Sequence, residues 1–245
     1  MCVSRALKYR RFMLVSCIAG PTQRSKFMGL EFQTGPEALI PRPETELLCS
    51  KALELLSGLV QDRGEIRILE PCTGSGNLAI AIACREPRCR IYATDLSEPA
   101  LELARRNAAD LEVSERVDFS LGDLFSPLAP SIRDAGADLI VCNPPYISSS
   151  RLDPMPEELL KCGPRIAFDG GPFGLSVISR LIEESPLYLK PGSYLCFETG
   201  IGQGPLLAKM MRRMSEYSSV QIEFESATQT PVIIAQTRPS INPIS

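Results

Sequence analysis

From about residue 64 onward, apolar residues fall into short blocks that alternate between two periodicities. Ile66, Ile68 and Leu69 mark a strand over 66–70, and the apolar run that follows over 78–85 predicts a helix. A second strand over 90–95 ends in Asp95. Residues 98–109 then read as a helix, with Ser97 placed to cap it and Pro99 in the first turn. Residues 117–121 alternate as a strand, and 137–142 are almost continuously apolar, the mark of a central parallel strand. A helix is expected over 175–189, a turn at Pro191 and Gly192, a strand over 194–198, and a helix near 205–217. The last runs, 220–225 and 232–236, have only a few polar residues between them, which predicts an antiparallel pair at a sheet edge. Together these give an α/β chain, a doubly wound sheet of seven strands, mostly parallel with an antiparallel C-terminal pair.

Ligands of such Rossmann-like sheets bind at the carboxyl ends of the strands, so the residues just after each strand carry the candidate chemistry. After the first strand comes Glu70-Pro71-Cys72-Thr73-Gly74-Ser75-Gly76-Asn77, whose glycines let a ligand approach the backbone. No Gly-Lys-Ser/Thr follows, so this is not a phosphate loop. Asp95 ends the second strand, where an acid can accept both hydroxyls of a nucleoside ribose or can cap the next helix. Asn143-Pro144-Pro145-Tyr146 directly follows the central strand. The prolines stiffen that turn. The Asn143 side-chain oxygen and the Pro144 carbonyl can accept the two protons of one NH₂ group, with Tyr146 packed on the flat group that carries it.

Composition narrows the chemistry. The 245 residues include no histidine, which excludes a Ser-His-Asp triad, a Cys-His pair and an imidazole base. The nine cysteines are never in Cys-x-x-Cys spacing, so no metal site is expected, and free thiols in a reducing compartment account for them. There is no tryptophan, and the net charge is −3, which argues against stable nucleic-acid binding. Residues 1–26 hold six cationic residues and no acid, so the remainder carries −9. That start, followed by Phe12-Met13-Leu14-Val15, reads as a basic tail, the remnant of a domain, or a targeting peptide. The localisation expected is cytoplasmic, with the mitochondrial matrix as the alternative. No run is long enough to span a membrane.

The strand-end motifs resemble class I S-adenosylmethionine-dependent amino-group methyltransferases. Four further stretches are similar to the release-factor glutamine methyltransferases (HemK/PrmC type). These are Ala38-Leu39-Ile40-Pro41-Arg42-Pro43-Glu44-Thr45-Glu46-Leu47-Leu48, Pro164 through Leu175, Lys190-Pro191-Gly192, and Glu198-Thr199-Gly200-Ile201-Gly202-Gln203. The similarity runs from about residue 27 to 237. It implies a catalytic domain over 27–245, with S-adenosylmethionine as cofactor and a peptide-chain release factor as the protein substrate. It further implies that Glu70, Cys72, Thr73, Gly74, Ser75, Gly76, Asp95, Leu96, Asp123, Leu124 and Asn143 line the cofactor. Asn143, Pro144, Pro145 and Tyr146 would hold the target amide, and Arg42, Pro43, Glu44 and Thr45 would lie beside it. Pro71 and Cys72 stand where the family more usually has Leu and Gly. Family members usually carry a helical recognition domain before the Phe27 region, and the chain is expected to lack most of it, with residues 147–174 supplying acceptor contacts instead. The alternatives are a small-molecule nitrogen as acceptor, adenine in nucleic acid, or a non-catalytic subunit.

Overall fold

Met28 and Gly29 both take left-handed backbone, φ +51° and +77°, and so close a tight hairpin. Strands β1 (Gln23–Phe27) and β2 (Leu30–Thr34) pair antiparallel across it. The computed structural model describes residues 23–59, 64–155 and 162–240, so most of the basic N-terminal run lies outside the described residues. The hairpin is held to the body by Asn107, whose Oδ1 accepts the Gln33 N–H and whose Nδ2 donates to the Gln33 and Ser75 carbonyls.

Helix α1 (Glu46–Leu59) follows, in a stretch where the sequence reading placed no element. Its buried residues Leu48, Cys49, Ala52 and Leu56 form one helical stripe. Then the alternation begins: β3 (Ile66–Pro71), α2 (Asn77–Arg85), β4 (Cys89–Asp95), α3 (Glu98–Asp110), β5 (Val117–Leu121), α4 (Pro130–Ala135) and β6 (Ala137–Cys142). Ser97 caps α3 as expected, its Oγ accepting the Ala100 N–H. A short α5 (Ser149–Leu152) and α6 (Ser176–Glu184) lead to β7 (Leu189–Glu198), α7 (Gly204–Met211), β8 (Tyr217–Phe224) and β9 (Pro231–Thr237).

The main sheet has the strand order β5-β4-β3-β6-β7-β9-β8. β5, β4, β3, β6 and β7 are mutually parallel, and β9 runs against both of its neighbours. The C-terminal pair therefore forms, but the later strand takes the inner place beside β7. Burial explains the order: six of the seven β9 residues are buried, whereas β8 exposes most of its face. All six residues of β6 are buried, as its apolar run required. The strand order reverses between β3 and β6, so the ligand-binding crevice of a doubly wound sheet opens between their carboxyl ends.

Two expected boundaries shift. Pro186 ends the α6 helix early, and a 3₁₀ turn over Ser185–Leu187 replaces its last part. Pro191 and Gly192 lie inside β7 rather than before it. There Gly192 (φ +74°) bulges, its N–H donates to the Arg238 carbonyl, and the register with β6 shifts. Among the described cysteines six are free thiols, and burial pushes Cys49 and Cys89 up to about 12, which keeps them unreactive.

Candidate active site

The loop between β3 and α2 is built on left-handed backbone at Cys72 (φ +61°), Gly74 (+56°) and Gly76 (+78°). A Cβ on Gly76 would stand 2.9 Å from Ile80 Cδ1 and 3.1 Å from Ala104 Cβ, so only glycine lets α2 start this close to α3. Cys72 takes its conformation at a cost of about 1–2 kcal/mol, which explains why glycine suits this position. Its thiol turns to the Cys142 thiol, and Cys142 Sγ also meets the Pro71 carbonyl at 3.1 Å.

Glu70 holds the loop from beneath. Its Oε2 accepts the Thr73 hydroxyl and the Ala79 N–H, both at 2.9 Å. Burial pushes its carboxyl up to about 8, against those two hydrogen bonds. Between about 4.5 and 8 the folded protein therefore keeps a proton that the unfolded chain has released, and stability falls as pH rises through that window. Glu70→Gln is expected to flatten this slope by up to about 1.4 kcal/mol per pH unit. Urea unfolding at pH 5.5 and 7.5 checks it, and an unchanged slope would mean that Glu70 is ionised in the fold.

Asp95 is not the cap of α3, a role Ser97 fills. Its Oδ2 accepts the Gly74 N–H at 2.8 Å and its Oδ1 the Ser97 N–H at 2.9 Å, so it ties the glycine loop to the end of β4. Burial raises its carboxyl, and these backbone donors oppose the rise. Glu70, Cys72, Thr73, Gly74, Ser75, Asp95, Leu96, Asp123, Leu124 and Asn143 all line one cavity, and Gly76 shapes the loop behind it. Leu124 is buried at φ +48°, with its carbonyl accepting the Thr94 hydroxyl. The Asp123 carboxylate pairs with Arg180 at 2.7 Å on the rim.

A second, wider cavity adjoins the first, and Asn143 and Pro145 line both. Asn143 Nδ2 donates to Thr45 Oγ1 at 3.1 Å, and the Thr45 hydroxyl donates to Glu198 Oε2 at 2.8 Å. The Tyr146 hydroxyl donates to Glu198 Oε1 at 3.0 Å. Among the described residues none donates to Asn143 Oδ1 or the Pro144 carbonyl. Gln203 braces the turn by donating to the Tyr146 carbonyl at 3.0 Å. Gly174 (φ +71°) lies so close beneath it that a Cβ would strike the Tyr146 carbonyl. Arg42, Glu44 and Thr45 are buried beside the turn, whereas Pro43 is exposed and lines neither cavity. At the outer lip Phe173 is 85% exposed with φ +62°. Among the described residues no group of side chains could hold a metal ion.

Comparison with known proteins shows the family. A family model described as a methyltransferase domain matches residues 62–236. The release factor glutamine methyltransferase of Moorella thermoacetica is 36% identical over 218 residues, which are 89% of this chain and 74% of that protein. The chain belongs to the release factor glutamine methyltransferase family. A ribosomal protein uL3 glutamine methyltransferase from Bradyrhizobium diazoefficiens is 42% identical over 137 residues, 56% of this chain and 41% of that one. In fold, the chain is similar to a 16S rRNA methyltransferase of T. thermophilus solved with AdoMet and guanosine. The TM-score is 0.59 at 15% identity, covering 89% of this chain and 50% of that one.

The methyl donor of a release factor glutamine methyltransferase is S-adenosylmethionine, and the first cavity suits it chemically. A carboxylate at Asp95 matches a ribose diol, and the apolar Leu96, Ala100, Leu124 and Val177 match a purine. Space around Gly74, where a Cβ would find only Ala38 Cβ at 4.0 Å, leaves backbone open to a ligand. Glu198 and Gln203 are the residues whose roles the sequence reading did not assign. Both stand in the quoted Glu198–Gln203 stretch, which directly follows an apolar strand, and that position was the available signal.

Proposed function

We infer that this protein is an S-adenosylmethionine-dependent N-methyltransferase acting on the side-chain amide of the glutamine in the Gly-Gly-Gln loop of a peptide-chain release factor. The observation that carries this reading is the Asn143 amide, tied at its nitrogen to Thr45 with its oxygen and the Pro144 carbonyl left unpartnered by the described residues. Those two acceptors suit one NH₂ group. S-adenosylmethionine supplies a methyl group already activated on a sulfonium. An amide nitrogen is a poor nucleophile because its lone pair is delocalised into the carbonyl. Two acceptors on its hydrogens orient it and favour pyramidal nitrogen, so positioning and fixed dipoles do the work of a base. The absence of histidine is consistent with this.

In this reading the β1–β2 hairpin, which spans the boundary expected at Phe27, belongs to the catalytic unit, to which Asn107 ties it. A substrate engaged in translation sets the protein in the cytoplasm or an organelle matrix. Among the described residues no helix is long and apolar enough to cross a membrane.

Ile147, Ser148, Met155, Phe168 and Phe173 line the second cavity, which supports the expectation that residues 147–174 meet the acceptor. An aromatic ring this exposed, on left-handed backbone, is suited to packing on a polypeptide. Phe173→Ala is expected to raise KM for a release factor about tenfold with little change in kcat, the effect of losing part of one aromatic's burial. Equal KM for the variant and the wild type would remove Phe173 from the acceptor surface. The reading as a whole is tested by offering the chain labelled S-adenosylmethionine with a release factor, free glutamine, or an adenine-containing oligonucleotide. Label is expected in the release factor; label only in one of the others would overturn the assignment.

A further inference from the structure

Glu198 is the last residue of β7, is 1% exposed, lines the second cavity, and reaches Asn143 only through Thr45. Its two oxygens accept the hydroxyls of Thr45 and Tyr146. An ionised carboxylate can only accept hydrogen bonds, and a threonine hydroxyl has a single proton to give. Once Thr45 donates to Glu198, its oxygen can only accept from Asn143. The Asn143 amide is thereby held with its nitrogen toward Thr45 and its oxygen toward the acceptor.

We propose that Glu198 is a positioning residue which, through Thr45, fixes the direction of the Asn143 amide so that its oxygen rather than its nitrogen meets the acceptor NH₂ group. The proposal rests on the reading of Asn143 as the holder of the target amide. A neutral group at position 198 breaks the logic. A protonated Glu198, or glutamine there, can donate to Thr45 Oγ1. The threonine proton is then free to point at Asn143, which turns its oxygen inward. The acceptor NH₂ would face another NH₂, with no hydrogen bond between them.

This direction also makes turnover depend on pH. Burial pushes the Glu198 carboxyl up to about 7, and the charged and titratable groups around it are Glu44, which raises it further, and Arg42 and Tyr146, which lower it. Turnover is therefore expected to fall as pH drops through about 7, because the protonated form releases Asn143.

The test uses the full chain with a release factor. Glu198→Gln is expected to lower kcat about 30-fold or more, the loss of one oriented polar contact in the transition state. Its residual activity should no longer rise with pH, and its S-adenosylmethionine dissociation constant should stay within about threefold of wild type. Thr45→Val, which keeps shape but removes the hydroxyl, should show the same loss in kcat, and Thr45→Ser should recover most of it. A wild-type kcat in either Glu198→Gln or Thr45→Val overturns the relay, and if Glu198→Gln fails to fold, Thr45→Val decides. A second readout needs no acceptor. In the free protein at pH 8, the Asn143 side-chain NH₂ protons should show a nuclear Overhauser contact to the Thr45 methyl group, lost in Glu198→Gln. Persistence of that contact in the variant overturns the relay. The contact with the expected loss, in a wild-type protein that methylates no glutamine, supports the relay and overturns the functional reading instead.

Discussion

Asn143→Ala is expected to lower kcat about 100-fold or more while leaving S-adenosylmethionine affinity within a few-fold. The residue follows a strand whose six residues are all buried, and its amide is fixed by Thr45 on one side. An alanine there removes one of the two acceptors for the target NH₂ group without touching Asp95 or the glycine loop. It also leaves the Thr45 oxygen short of a donor, a small loss confined to the turn. The contact matters most when the nitrogen begins to pyramidalise, so the loss should appear in kcat rather than in KM. Single-turnover kinetics with calorimetric binding of S-adenosylmethionine separates the two quantities. A folded variant that methylates at the wild-type rate would remove Asn143 from the reaction.

Asp95→Ala is expected to weaken S-adenosylmethionine binding by about 1.5–3 kcal/mol, the range for hydrogen bonds to a charged group. Two effects combine. The carboxylate already accepts the Gly74 and Ser97 N–H groups, so it holds the loop in its binding shape before any ligand arrives. Each of its oxygens retains a further lone pair for a ribose hydroxyl. Asp95→Asn keeps one acceptor oxygen and should lose less. Calorimetry on both variants checks the order, and unchanged affinity in Asp95→Ala would reduce the residue to a loop brace.

The parts of this fold that were legible in the sequence are those whose cause is local. β6 declares itself because a strand between β3 and β7 is buried along its whole length: five of its six residues are apolar, and the sixth, Asp138, is met by Lys190 and the Arg67 N–H. The β3–α2 loop shows in its glycines, because left-handed backbone and the 2.9 Å approach to Ile80 admit little else. The turn after β6 shows in its two prolines. Other features depend on partners far along the chain. Pro191 and Gly192 read as a turn because the Arg238 carbonyl that meets Gly192 lies in a distant segment. Helix α1 carries a clear stripe at Leu48, Cys49, Ala52 and Leu56, but Arg42 to Thr45 just before it drew attention to chemistry rather than to periodicity. Glu198 has no role legible in the sequence, since its work depends on Thr45, 153 positions earlier in the chain. Phe173 could not be singled out either, because an apolar residue reads as core until its exposure is seen.

The most direct test of the central claim is the position of the transferred methyl group. A release factor is incubated with the protein and S-adenosylmethionine, digested, and sequenced by tandem mass spectrometry. A single methyl group on the side-chain nitrogen of the Gly-Gly-Gln glutamine, formed about 100-fold more slowly, or slower still, by the Asn143→Ala variant, is the expected result. A methyl group on any other residue, or an unmodified glutamine in the presence of protein that binds S-adenosylmethionine, would contradict it.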